Sequence, residues 1–149
     1  MRNYSKKIIK VIRVKTNIKA DIKKIWELWT NPEDIKQWYH ATDDWYVPKA
    51  VNKLKVRGKF IITMSSVDKK QSFDFVGTYS KIVPFKSIEY TIQDGRKVET
   101  SFTLSGINTQ IAQIFQPESI YTIEQQRSGW QSILDNFRKY VENKVKYKV

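Results

Sequence analysis

Apolar residues recur along this chain with two different periods. Ile22, Ile25, Trp26 and Trp29 fall at i, i+3, i+4 and i+7, one face of a helix. Asp21 is placed to cap its start. Asn31-Pro32 ends it, because a residue before proline avoids the helical region. Pro32 then suits the first position of a second short helix, capped by Asn31 and running towards Trp38. Near the C-terminus, Trp130, Ile133, Leu134, Phe137 and Val141 follow i, i+3, i+4, i+7 and i+11, which predicts a long helix. Ser119 or Thr122 is its expected cap. Gly129 inside that helix costs about 1 kcal/mol against alanine, so a close approach by a strand, a bulky side chain or a ligand is expected there. Lys144 to Val149 are expected to fray.

Elsewhere the period is two. Lys10 to Thr16, Val56 to Ser65, Ser72 to Val83, Ser87 to Ile92, Lys97 to Ser105 and Thr109 to Phe115 are strand-length and rich in β-branched and aromatic residues. Asp94-Gly95 is a favoured hairpin turn, and Val67 to Lys70, Val83-Pro84-Phe85 and Gly106-Ile107-Asn108 carry turn chemistry. Short joints predict an antiparallel meander. Alternation puts Phe60, Ile62 and Met64 on the buried face, with Phe73, Phe75, Gly77 and Tyr79; Ile88, Tyr90 and Ile92; Val98, Thr100, Phe102 and Leu104; and Ile111, Gln113 and Phe115. The other face carries Lys59, Asp74, Lys97, Glu99 and Gln110, mixed with Ile61, Val76, Ala112 and Ile114. A sheet apolar on one side needs one covering layer, and the C-terminal helix supplies it.

Composition narrows the picture. A length of 149 residues suits one domain over 1–149. With no cysteine, disulfide and thiolate chemistry are excluded, and a cytoplasmic location is expected. No apolar run has the length of a membrane span. The basic start, Met1 to Lys7, is followed by a stretch broken by Lys10, Arg13 and Lys15, so it has no signal-peptide core. The net charge of +12 admits an anionic partner, but the lysines are scattered and form no long run, the pattern of a solvated surface. Nucleic acid is not the expected partner, since no named binding motif accompanies the charge. The aromatic share of 13%, with five Trp, eight Tyr and seven Phe, exceeds what a core alone absorbs.

Several blocks are familiar. Ile25-Trp26-Glu27-Leu28-Trp29-Thr30-Asn31-Pro32-Glu33, then Gln37-Trp38 and Asp43-Asp44-Trp45, resemble the opening of the SRPBCC (START-like) superfamily. They are most similar to its branch of activator of heat-shock protein 90 ATPase homologues. Phe75 to Tyr79, Tyr90 to Arg96 and Gly129 to Phe137 match its later blocks, so the resemblance spans roughly residues 8 to 144. It implies an α+β helix-grip fold: a strand, two short helices, then a meander completing a curved antiparallel sheet of six to seven strands, wrapped on a long C-terminal helix. It also implies an apolar cavity between sheet and helix. Relatives include lipid carriers, hormone receptors, cyclases and the chaperone activator domain, so fold alone does not choose among them. One departure is visible: the family usually has two adjacent glycines before the second meander strand, and here the pair is Arg57-Gly58.

The candidate site is therefore a ligand cavity. Its expected lining is Trp38, Trp45, Tyr46, Met64, Phe73, Phe75, Tyr79, Tyr90, Phe102, Gln113, Trp130 and Leu134, with access near residues 38–48. Tyr79, Tyr90 and Trp130 carry polar tips that can orient a ligand. Gln113, inward between Ile111 and Phe115, must find a partner or contact a polar ligand group. The expected occupant is a hydrophobic small molecule or lipid. A chaperone partner is the alternative that the resemblance offers. A cyclase or hydrolase using His40 with Asp43 or Asp44 is a third, but no nucleophile elbow is present. Neighbouring aspartates make a poor chelate, and with one histidine and no cysteine neither metal nor cofactor is expected. One of the two aspartates is expected to cap or turn the chain and the other to pair with a cation.

Overall fold

The edge strands show how the molecule is closed. In a computed structural model that describes residues 10–146, β1 (Ile12–Ile18) pairs with β7 (Asn108–Phe115), the last strand of the chain. Its burial alternates strictly, with Ile12, Val14, Thr16 and Ile18 inward. Between these lie α1 (Ile22–Thr30), α2 (Pro32–Trp38), β2 (Trp45–Asn52), β3 (Lys59–Ser66), β4 (Ser72–Val83), β5 (Ser87–Ile92) and β6 (Lys97–Ser105), and α3 (Ile123–Lys146) follows. The order β1-β7-β6-β5-β4-β3-β2 makes one seven-stranded antiparallel sheet. The helix-grip architecture read from the sequence is the one observed.

The caps are those expected. The Asp21 carboxylate accepts the Lys24 N–H at 2.9 Å, and the side-chain Oδ1 of Asn31 accepts that of Glu33 at 3.2 Å. Thr122, not Ser119, caps α3 in a reciprocal box: its Oγ1 accepts the Gln125 N–H while Gln125 Oε1 accepts that of Thr122. Gln131 of α3 exchanges hydrogen bonds with the Lys15 backbone, and Glu142 accepts the Lys19 N–H. The outer rim of β1 is thus occupied by helix side chains.

Four expectations are corrected. Strand β2 escaped the pattern because Pro48 and Lys49 break its alternation. It is an edge strand with a register shift between Tyr46 and Lys49, where proline is tolerated. Leu104 has the inward parity but is 63% exposed, since β6 outruns its cover there. A Cβ added at Gly129 would meet nothing within 4 Å, so no close approach explains this glycine. The tight glycine is Gly77, where a Cβ would lie 2.2 Å from the Phe60 ring directly across the β3–β4 pair. Helix α3 continues through Lys146 instead of fraying at Lys144; residues 147–149, like the basic start, lie outside the described residues.

Arg57-Gly58 forms a β-bulge opposite Tyr79. The Arg57 N–H donates to the Tyr79 carbonyl at 2.8 Å and the Tyr79 N–H donates to the Gly58 carbonyl at 2.9 Å. Arg57 has φ +70°, the left-handed conformation that favours glycine, at a cost of about 1–2 kcal/mol for a residue with a Cβ.

Candidate functional site

Inward alternation gives the sheet a continuous apolar face, and helices share its cover unequally. Helix α3 lies along the β1 side, and α2 lies against β2. At the α3 end, Trp130 stacks on Phe115 with ring centroids 3.9 Å apart, and Leu134, Phe137 and Val141 are fully buried. Phe137 then meets Trp29 at 5.0 Å and Trp38 at 4.5 Å. This seam is filled.

The space that remains lies at the other end, between α1, α2 and strands β2 to β5. Trp29, Ile35, Trp38, Tyr39, Asn52, Phe60, Ile62, Tyr79, Ile88 and Tyr90 line a cavity of about 40 Å³. That is room for roughly one to three waters. A larger depression of about 470 Å³ lies against Lys59, Val76, Thr78 and Thr91 on the outer face, open to solvent, and of these aromatics only Tyr79 borders it.

Each wall has a local cause. Trp38 ends α2, and its indole N–H donates to the Leu28 carbonyl at 3.1 Å, which fixes the ring. Helix α2 is tied to α3 by buried Asp34, which accepts the Tyr140 hydroxyl at 2.5 Å and faces Lys144 Nζ at 3.3 Å. Tyr39 follows directly as the C-cap. Phe60 forms the floor, 4.8 Å from Tyr90 and 5.5 Å from Tyr79 between ring centroids, and it lies over Gly77. The bulge at Arg57-Gly58 sets the backbone of Tyr79.

The polar atoms are few. The Tyr79 hydroxyl donates to Asn52 Oδ1 at 2.5 Å, and Asn52 Nδ2 donates to the Thr30 carbonyl at 2.7 Å. Among the described residues, the hydroxyls of Tyr39 and Tyr90 have no hydrogen-bond partner. Burial pushes all three phenols above their ordinary value; Tyr79 raises Tyr39 further, and both raise Tyr90. The three rings border the same cavity and stay protonated at neutral pH.

Of the residues expected from the sequence, Trp38, Tyr79 and Tyr90 line this cavity. Phe75 stands just outside it, against Tyr39 and Trp130 at 6.0 and 6.3 Å. Phe102 packs on Trp26 and Trp29, and Leu134 is core. Gln113 is buried and donates to Thr100 Oγ1 at 3.1 Å, a structural role. Met64 is half-buried at the margin. Trp45 and Phe73 pair edge to face at 5.6 Å near the open end of the sheet, where Phe73 is 51% exposed, and Tyr46 is exposed.

Sequence reasoning does not single out Tyr39, Asn52, Phe60 and Trp29 as lining residues. Trp29 belongs to the apolar stripe of its helix, and Phe60 to an inward row, so both carry a signal. Tyr39 and Asn52 carry none, because one is a helix cap and the other ends the strand that alternation misses.

His40 is half-buried beyond this cavity. Its carbonyl accepts a hydrogen bond from Asn136 Nδ2, and its Nδ1 is buried without a partner. Asp43 and Asp44 are exposed in the following turn, and neither forms an ion pair among the described residues. The pairing expected for one of them is not found. No cluster of metal-ligating side chains occurs among the described residues. No described helix is long and apolar enough to cross a membrane.

A family model described as Activator of Hsp90 ATPase homolog 1-like protein matches residues 19–142. Among solved structures, one from Aeromonas hydrophila, an AHSA1-like protein, is 32% identical, with a TM-score of 0.86 over 91% of this chain and 94% of that one. A protein from Cytophaga hutchinsonii is 43% identical, with a TM-score of 0.78 over 93% and 96%. A Nitrosomonas europaea protein at 13% identity and a TM-score of 0.79 shares the fold. No curated protein matches the chain.

Proposed function

Because this chain belongs to the family of activator of Hsp90 ATPase homolog 1-like proteins, whose fold commonly holds ligands, we propose that it is a binding module for a hydrophobic small molecule or lipid. The observation that supports this is the aromatic cavity under α1 and α2, with three phenols converging on otherwise apolar walls. Such pockets combine apolar area with a few polar groups that set orientation. In the closed form the space is far below the roughly 300 Å³ of a typical ligand pocket, so binding requires the walls to part. The mobile wall in this reading is α2, a seven-residue helix joined to α3 by the bonds of Asp34 and by the contact of Trp38 with Phe137.

Native mass spectrometry of protein purified gently from its own host tests the proposal. The expected result is an adduct that denaturation releases. A bare mass, together with no movement of the NMR signals of Tyr39, Asn52, Tyr79 and Tyr90 across a panel of fatty acids, sterols and aromatics, would overturn it.

The family description favours a second reading, a co-factor of an Hsp90-type chaperone. A complex with the cognate chaperone at low salt that leaves those four signals unmoved would favour it over a ligand carrier.

A further inference from the structure

We infer that the cavity between α1, α2 and strands β2 to β5 is built for a neutral ligand that buries a carbonyl oxygen between Tyr39 and Tyr90. The inference rests on the binding-module reading and names the ligand chemistry of that same site.

Hydrogen-bond accounting carries it. Asn52 spends both ends of its amide: Oδ1 accepts from Tyr79, and Nδ2 donates to Thr30. That bond uses the one proton of the Tyr79 hydroxyl, so Tyr79 has none left to donate. Tyr39 and Tyr90 each retain an uncommitted O–H among the described residues, in a space where burial keeps phenols protonated. Two free donors facing one cavity match the two lone pairs of a single carbonyl oxygen. A carbonyl needs no acceptor in return, whereas an alcohol would also have to place its own proton, on the Tyr79 oxygen.

Charge decides between a carbonyl and an anion. None of the ten lining residues is charged. A carboxylate or phosphate placed there would lose its hydration, and the one cation acting on Tyr90, Arg96, is not among the lining residues and is already paired with Asp94. The remaining walls are rings and aliphatic chains, which suit an apolar body.

The test uses two probes of one shape, cyclohexanone and methylenecyclohexane, in which C=CH₂ replaces C=O. Binding is followed by NMR on the wild-type protein and on Tyr39→Phe, Tyr90→Phe and the double variant. Removing these hydroxyls leaves no protein partner unpaired, and a thermal melt confirms each fold. The expected result is cyclohexanone binding roughly tenfold more tightly than the hydrocarbon, since each bond contributes a net few-fold to tenfold. That ratio should fall stepwise to about one in the double variant, with the hydrocarbon affinity little changed. Equal affinities in the wild type, or a ratio that the variants leave intact, would overturn the inference while the binding-module reading stands. If neither probe moves the cavity signals at about 10 mM, where a Kd near 1 mM gives about 90% occupancy, the inference falls, and the native mass and the wider ligand panel decide the binding-module reading.

Discussion

At one end of the sheet's inner face, Trp130 lies flat on Phe115, and Leu134, Phe137 and Val141 show no surface to solvent. At the other end, Trp29, Trp38, Phe60 and Ile88 line a small void that three tyrosines also border. Both ends are rich in aromatics, and the same alternation of inward residues runs beneath them. What differs is the cover. The α3 end is closed by a continuous helical stripe, whose Leu134, Phe137 and Val141 are fully buried against the sheet. The other end is closed by α1 and α2, two short helices with a cap between them, and their side chains do not fill the space. Aromatic excess marks a core in one place and a candidate site in the other, and only the polar tips and the void tell them apart.

The sharpest way to break this comparison is to cut into the filled end. Phe137→Ala removes a fully buried ring that contacts both Trp29 and Trp38, and it should cost about 3–5 kcal/mol in chemical denaturation. Tyr90→Phe, at the other end, should stay within about 1 kcal/mol of wild type, since it removes a hydroxyl that has no protein partner. Comparable losses would mean that the two ends are one uniform core.

A smaller effect is expected from Gly77→Ala. The new methyl would meet Phe60 at 2.2 Å and drive the ring up into the void. Overpacking of this kind costs about 1–3 kcal/mol. Denaturation should show that loss, and the NMR response of Tyr79 and Tyr90 to any cavity ligand should vanish with it. A variant that keeps its ligand response would show that Phe60 is not the floor of the site.

The smallest effect lies in alkali. Folded Tyr39, Tyr79 and Tyr90 hold their protons above the ordinary value near 10, whereas the unfolded chain releases them there. The stability linked to these phenols is therefore whole below about pH 10 and is lost as the pH climbs towards their folded values. Melting temperatures between about pH 9 and pH 12 should fall, and fall less steeply in the Tyr39→Phe/Tyr90→Phe variant. Identical slopes would place these phenols in contact with solvent.

Much of this was legible in the chain itself. The stripe from Trp130 to Val141, the caps at Asp21, Asn31 and Thr122, and the hairpin at Asp94-Gly95 are local, and local chemistry specified them. The bounds of β4, β5 and β6 followed from alternation and turn residues. Parity also assigned Phe60, Tyr79, Tyr90 and Gln113 to the inner face correctly. Parity does not report how far the covering layer reaches, however. Phe73 and Leu104 share that inner parity and are exposed, because each lies where its strand outruns the helices. β2 was hidden by Pro48, whose tolerance depends on the strand being at an edge.

The position of the void was decided only in three dimensions. It depends on where α2 is held by Asp34 from one helix and Tyr140 and Lys144 from another, 106 and 110 residues away along the chain. It depends equally on Gly77 letting Phe60 lie low, and on Asn52 taking the proton of Tyr79. Sequence periodicity determined which side chains face inward. Contacts between distant segments determined which of those side chains pack and which two hydroxyls are left free, because volume and hydrogen bonds are shared between segments and belong to no single stretch of chain.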